Sequence, residues 1–423
     1  MNMEHTYSNQ LKENAHVRLK GWVDNLRNLG NIQFLTIRDR EGIAQVTAKK
    51  LDVSNGVFET ISKLGKEDCV EVTGTAVKSK IAKLGYEIIP SEVKVLASAE
   101  KPLPMDLNIE SWKETRFDYR YLDLRNPKVR KIFLARSKVM ELCHEYFRKN
   151  GFIEIHTPVI QAAGAEGGAT MFKVDFYGKN AYLRQSPQLY KQMMMASGLD
   201  RVYEIGQAFR AEKFHTRRHI SEFMSLDFEM AWVDSEEDVM QVLERMVVHV
   251  LKGVKAGMNV SIEIPDVPFK RVTYQDMLKA LDKVGIHKKF GDDVGDAEEA
   301  KFAEIMRKKG NDAYFITKFP SVLKPFYIMM DGEISRGLDL DYKGLELASG
   351  GQREHRFSVL TKVMKEKGLN PNDFAFYTNA FRYGMPMHGG IGFGVDRFVK
   401  QILNLPDVQE TILFPRTPDK LVP

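Results

Sequence analysis

Two periodicities divide the chain. Between residues 16 and 98, apolar and polar positions alternate in short runs: "HVRLKGWVD", "IQFLTIRD", "GIAQVTA", "CVEVTGTAV" and "YEIIPSEVKVL". The spacing predicts five strands. A run between the third and fourth, "LDVSNGVFETISKL", has helical spacing. Five strands with a helix after the third suit a small Greek-key barrel of the OB type, although strand number alone leaves other small barrels open. From Ala99 to Pro127 the pattern dissolves, and Pro102 and Pro104 exclude regular structure at its start. This stretch reads as a hinge.

A long helix is expected from about Lys128. Ile132, Val139, Leu142, Cys143 and Tyr146 form its apolar face, and Asn150–Gly151 its stop. It feeds a strand, "FIEIH", closed by Thr157–Pro158. Beyond it, strand and helix signals alternate to the end. "DSEEDVMQVLERMVVHVLKGV" opens with an acidic turn and offers Asp234 or Ser235 as N-cap. Residues 273–312 read as a helical insertion.

One hairpin breaks the rule that charge stays out of strands. In "RVYEIGQAFRAE", Tyr203, Ile205 and Phe209 share a face, and Gly206, Ala208, Arg210 and Glu212 share the other. In "EFMSLDFEMAW", Met224, Leu226, Phe228, Met230 and Trp232 oppose Phe223, Ser225, Asp227 and Glu229. Paired antiparallel, the two strands give a core face and a shelf cleared by Gly206 and Ala208. A flat aromatic ligand stacks on Phe223 there, Arg210 neutralises an anion, and Lys213, His215, Arg217, Arg218 and His219 in the turn meet further phosphates. The bland alternative is a solvated hairpin with a charged tip.

Three other segments supply matching groups. "HGGIGFGVDRFVKQIL" puts Arg397 in the first turn of a helix that follows glycines. It matches neither familiar phosphate-loop pattern, so it is either an anion site or a close backbone approach. In "GLELASGGQREHR", Glu346 and Ser349 are hard oxygen donors suited to Mg²⁺ on a nucleotide. Strict alternation separates their faces, so a bulge near Gly350 is required; a strand-end salt bridge is the other reading. "QSPQLYKQ" sets Gln188 and Lys191 on one helix face after Pro187, and "GAEGGAT" holds the single acid Glu166.

Composition narrows the class. At 423 residues, 43% hydrophobic and 28% charged, the chain fits an ordinary two-domain globular protein. No apolar run nears the roughly 20 residues of a membrane span. The polar N-terminus has no apolar signal core, so a cytoplasmic location is expected. Cys69 and Cys143, the only cysteines, have no metal-ligand spacing. A net charge of +5 announces no nucleic-acid partner.

"GFIEIHTP", "FRAE" with its basic loop, and "GIGFGVDR" resemble motifs 1, 2 and 3 of the class II aminoacyl-tRNA synthetases. The barrel resembles the anticodon-binding domain of class IIb, the aspartyl, asparaginyl and lysyl enzymes. "QSPQLYKQ", "SLDFEM" and "ASGGQREHR" are similar to the archaeal-type aspartyl subgroup. The resemblance implies an α+β chain. A five-stranded OB-fold barrel (1–100) and a hinge (101–127) would precede a catalytic domain (128–423) built on an antiparallel sheet flanked by helices. Motifs 1, 2 and 3 fall at about 128–158, 202–232 and 388–403.

It also implies roles. Arg210 holds the ATP α-phosphate and the amino acid's α-carboxylate. Glu212 and Phe223 meet adenine, His219 with Arg217 and Arg218 reaches the far phosphates, and Arg397 stacks on adenine or grips the γ-phosphate. Glu346 and Ser349 bind Mg²⁺. Glu166, Ser186 and Gln188 receive the α-ammonium of L-aspartate, Arg353 and Lys191 its β-carboxylate, and Asp227 orients Lys191. Two cations around a neutral amide leave charge unpaired, which disfavours asparagine. Pro158 marks a homodimer interface. Gln33 and Phe34 lie on the base-reading strand, with Asp24, Arg27 and Lys83 nearby. Some relatives carry an aromatic residue in place of Asp24, which leaves open whether tRNA(Asp) alone or tRNA(Asn) too is charged. An asparaginyl enzyme and a regulatory or amide-forming paralogue are the alternatives.

Overall fold

The computed structural model describes residues 4–107, 111–162, 171–212 and 218–423. It falls into two units, 1–106 and 107–423. In the first, β1 (His16–Asn28), β2 (Ile32–Arg38), β3 (Ile43–Lys49), α1 (Asn55–Ser62), β4 (Cys69–Lys78) and β5 (Tyr86–Ala97) form a closed barrel in the order β1-β2-β3-β5-β4. Alternation builds its core: Leu35 and Ile37 of β2, Val46 of β3 and Val72 of β4 are fully buried and packed together. Asp24 is the extra residue of a bulge in β1, between the pairs Val23–Ile37 and Asn25–Thr36.

The expected hinge is only partly one. Ala99 still bonds the barrel through Asp68, at 2.9 Å. Residues 113–123 form two short helices of the second unit, α2 (Lys113–Asp118) and α3 (Arg120–Asp123). Arg120 is wholly buried and donates to the carbonyls of Glu410, Ile412 and Leu413 at 3.0–3.2 Å. Such an anchor fixes the segment to the larger unit, and no hydrophobic pattern announces it.

The second unit continues with α4 (Pro127–Lys149), β6 (Ile153–Glu154), β7 (Ile160–Gln161), β8 (Lys173–Phe176), β9 (Lys179–Leu183), α5 (Gln188–Met195), β10 (Arg201–Phe209), β11 (Glu222–Ala231) and α6 (Glu236–Met258). The insertion follows as β12 (Lys270–Thr273), α7 (Tyr274–Asp282), α8 (Asp296–Lys308) and β13 (Ala313–Thr317). Then come β14 (Met330–Asp331), β15 (Ile334–Ser335), β16 (Gly337–Tyr342), β17 (Leu345–Gln352), α9 (Phe357–Glu366), α10 (Ala375–Thr378), β18 (His388–Gly394) and α11 (Val395–Leu403). Eight strands make one sheet, β12-β13-β16-β17-β18-β11-β10-β6. Its inner pairs are antiparallel, and its two outermost pairs, β12–β13 and β10–β6, are parallel.

Helices α4 and α6 cover one face of this sheet. Asn126 caps α4 and Pro127 stands at its first position; the expected apolar face is buried throughout. Ser235, rather than Asp234, caps α6, accepting from Glu237 N at 3.2 Å, with Asp238 closing the box. Val139 and Leu142 of α4, Val239 and Val247 of α6, and Tyr203, Leu226, Phe228 and Ile391 of the sheet share one core. Trp232 departs from the expected strand face: at φ 63 the chain has left β11, and the ring is exposed. Among the described residues, no helix is long and apolar enough to cross a membrane.

Candidate active site

The sheet face opposite α4 and α6 carries the charge that the hairpin made conspicuous. Strands β10 and β11 pair Glu204 with Asp227, Gly206 with Ser225 and Ala208 with Phe223, so these side chains share one face. A cavity of about 260 Å³ opens there. Twelve of the expected residues line it: Ser186, Gln188, Arg210, Glu212, Arg218, His219, Phe223, Asp227, Glu346, Ser349, Arg353 and Arg397. Glu166 and Arg217 lie outside the described residues.

The shelf itself differs from expectation. Gly206 is clear for Arg184, not for a ligand: a Cβ there would stand 2.2 Å from Arg184 Nη2. Arg184 is buried, ion-paired to Glu204 at 2.5 Å, and bonded to Thr157 Oγ1 and the Gln207 carbonyl at 2.9 and 2.7 Å. The ligand-facing part begins with Phe223, whose ring lies 5.5 Å from the Arg210 guanidinium carbon. Among the described residues the buried Nε of Arg210 has no hydrogen-bond partner, and the side chain lines the cavity.

Glu346 and Ser349 do share the cavity wall, through a bulge in a different place. Leu340 pairs with Ala348 but Asp341 with Glu346, so Leu347 is the extra residue, three positions before Gly350. Leu347 and Ala348 both turn into the core, which holds the bulge in place. Burial and then the neighbouring Asp339 push the Glu346 carboxyl above its ordinary range, against Arg397, Lys324 and Arg210. Arg397 donates to the Glu346 carbonyl at 3.0 Å. Arg218 turns toward α8, 3.3 Å from Glu299 and 3.4 Å from Asp296. Burial and then the charge of Arg397 lower the His219 pKa.

The amino-acid end corrects a simple charge count. Arg353 is 1% exposed and spans Glu229, with Nε at 2.9 Å from Oε1 and Nη2 at 3.3 Å from Oε2. Its Nη2 also donates to the Gly390 carbonyl at 2.8 Å. Lys191 stands behind the cavity wall instead of lining it, bonded to Asp227 at 2.9 Å and the Ile391 carbonyl at 2.6 Å. The two cations are therefore already neutralised by Asp227 and Glu229, and an amide does not find them unpaired. Burial opposes ionisation of Glu229, yet Arg353 and Lys191 outweigh it and hold the carboxyl below its ordinary value. Gly390 makes this possible, since a Cβ there would come within 2.3 Å of Glu229 Oε2. The glycines of β18 thus serve close packing, and Arg397 past them faces the cavity.

Sequence reasoning gave no role to Arg184, Glu229, Lys324 or Tyr327. Lys324 lines the cavity and binds both oxygens of Asp339, at 2.7 and 2.8 Å; Tyr327 lies under Arg353. A charge on the polar side of an alternating strand was the available signal for Glu229. The loop residues had none.

In the barrel, Gln33 corrects the expected reading pair. It is 0% exposed and donates to Ser62 Oγ of α1 at 2.5 Å, so it faces the interior. Phe34, next along the strand, faces out, paired with Arg27 and Thr47. Asp24 accepts from Arg38 at 3.1 Å and Thr36 at 3.3 Å, and Lys83 is exposed in the β4–β5 loop. Pro158 is exposed beside Val159 and Ile160.

A sheet of this kind, with arginines from two motifs over one cavity and a barrel ahead of it, defines a class II synthetase. The chain belongs to that family: the model described as tRNA synthetases class II (D, K and N) matches residues 112–418, and an OB-fold nucleic acid binding domain matches 17–96. The aspartate–tRNA(Asp) ligase of Thermococcus kodakarensis is 46% identical, over 99% of both chains. The aspartate–tRNA(Asp/Asn) ligase of Methanopyrus kandleri is 43% identical, over 97% of both. The asparaginyl-tRNA synthetase of Pyrococcus horikoshii, solved with asparaginyl-adenylate, superposes with a TM-score of 0.93 at 32% identity, covering 99% of this chain and 100% of that one.

Proposed function

We propose that this chain is an aspartate–tRNA ligase. It joins L-aspartate to ATP, giving aspartyl-adenylate and pyrophosphate, and then passes the aspartyl group to the terminal 3′-OH of tRNA(Asp). The observation that carries this reading is that Arg210 and Arg353, from separate segments, line one cavity together with Phe223 and Glu346.

In the first step an α-carboxylate oxygen of aspartate bonds to the α-phosphorus as the bond to pyrophosphate breaks. Arg210, whose Nε has no hydrogen-bond partner among the described residues, meets the accumulating negative charge. Phe223 and Glu212 seat adenine, and His219 and Arg397 face the outer phosphates, while Arg218 on the same cavity wall is held by Glu299 and Asp296. Ser186 and Gln188 receive the α-ammonium. Arg353, whose Nη1 takes no part in the bonds to Glu229 and Gly390, receives the β-carboxylate. Lys191 acts from behind, and Asp227 orients it.

Glu346 and Ser349 would hold Mg²⁺. The fit rests on the bulge at Leu347, which puts both oxygen donors on the cavity wall. Among the described residues no three His, Cys, Asp or Glu side chains are grouped to hold a metal. Two protein donors completed by phosphate oxygens are the usual arrangement for Mg²⁺ on a nucleotide, where it neutralises phosphate charge. The exposed Pro158 segment suits a homodimer surface, and Phe34 with Arg27 a base-reading surface on the barrel. A tRNA substrate suits the cytoplasmic location expected from the sequence.

ATP–pyrophosphate exchange without tRNA tests the reading: aspartate should drive it and asparagine should not. The reverse outcome would establish the asparaginyl alternative, which the paired cations of the pocket and the Pyrococcus structure keep in play. Charging purified tRNA(Asp) and tRNA(Asn) with aspartate then decides the tRNA range.

A further inference from the structure

The Arg184–Glu204 pair lies on the sheet face that carries the amino-acid pocket, one strand away from Lys191–Asp227. Glu204 and Asp227 are direct cross-strand partners. Both are buried, at 4% and 2% exposure. Two facing carboxylates in a dry environment repel strongly unless each has its own cation. Here each has one: Arg184 for Glu204 at 2.5 Å and Lys191 for Asp227 at 2.9 Å. Lys191 is also 3.6 Å from Glu229, which Arg353 holds. Three acids on one face of β10 and β11 are thus each held by a cation: Glu204 by Arg184, Asp227 by Lys191 and Glu229 by Arg353.

We propose that Arg184 is a positioning residue for the amino-acid pocket: by neutralising Glu204 it keeps Lys191 committed to Asp227, and so keeps Arg353 presented to the substrate. The inference rests on the proposed function in taking Arg353, Lys191 and Asp227 as the aspartate subsite. Removal of the guanidinium leaves Glu204 buried with only the bonds from Thr157 N and Oγ1, opposite Asp227 whose cation is Lys191. The backbone reinforces the assignment. Arg184 N donates to the Val159 carbonyl and Phe209 N to the Arg184 carbonyl, both at 2.9 Å, so the residue sits between the exposed Pro158 segment and the strand end that carries Arg210. Gly206 supplies the space, and Ser225 opposite it donates to Asp227 Oδ2 at 2.6 Å.

The test is a charge-rescue cycle read by ATP–pyrophosphate exchange in the full chain. Arg184→Met should raise the KM for aspartate by at least about tenfold, a coupling within the range of contacting charged residues, and leave the KM for ATP near that of the unsubstituted protein. Adding Glu204→Gln should return the aspartate KM to within about threefold, because the uncompensated carboxylate is gone. Arg184→Lys, which keeps the charge, should behave as the parent and guards against a variant that fails to fold. An unchanged aspartate KM in Arg184→Met, an equal rise for both substrates, or no rescue by Glu204→Gln would overturn the proposal. Exchange by the unsubstituted protein with aspartate checks the functional reading separately.

Discussion

Arg353 and Glu229 hold each other through two hydrogen bonds, at 2.9 and 3.3 Å, inside a sheet where Glu229 is wholly buried and Arg353 touches only the cavity. A buried pair of this kind is a poor source of stability but a strong constraint on geometry. Removing one partner strands the other charge. Glu229→Gln should cost about 3–5 kcal/mol of unfolding free energy and abolish aspartate-dependent exchange. Chemical denaturation and exchange kinetics on the same sample check both outcomes.

Arg210 should behave in the opposite way. Its guanidinium lines the cavity beside Phe223, and among the described residues its Nε has no hydrogen-bond partner. Arg210→Ala should therefore lower kcat of adenylate formation by about 10²–10³, the usual effect of losing a donor to developing charge. Its midpoint of thermal unfolding should stay close to the parent's. A large loss of stability with an unchanged rate would assign Arg210 to the scaffold.

Glu299 should make stability depend on pH. Burial and then the charge of Glu346 push its carboxyl from 4.5 to about 7 in the folded chain, despite Arg218. Between those values the folded state binds more protons than the unfolded state, so this group's contribution to stability falls as pH rises through the window. Glu299→Gln should flatten that part of the profile, being more stable than the parent above pH 7 and little different near pH 4.5. Unfolding midpoints in a series of buffers measure it.

In the barrel the two neighbours on β2 should separate cleanly. Phe34→Ala removes an outward ring, and the KM for tRNA should rise by about 10- to 100-fold, the worth of one base stack, while exchange without tRNA is unchanged. Gln33→Ala should instead lower stability through its lost bond to Ser62 and leave tRNA affinity per folded molecule alone. Filter binding and thermal unfolding distinguish them.

The local patterns of the chain were enough for the barrel strands, the long helices and the faces of the central hairpin. Period-two alternation placed the barrel strands and the two faces of the β10–β11 hairpin, and the α4 face followed from its spacing. Residues carried by recognisable motifs, such as Arg210, Phe223, Glu346, Ser349 and Arg353, meet at one cavity. These are consequences of local geometry, which a sequence carries directly.

Pairings between distant segments were decided only by the tertiary structure. Sequence could require a bulge for Glu346 and Ser349, but only core packing of Leu347 and Ala348 fixed where it falls. It could count the cations of the pocket, but not that Asp227 and Glu229 neutralise them. Gly206 looked like room for a ligand until Arg184 filled it. In each case the deciding quantity is which side chain a buried charge or void finds across the sheet, and that depends on register and burial, which no stretch of the chain encodes by itself.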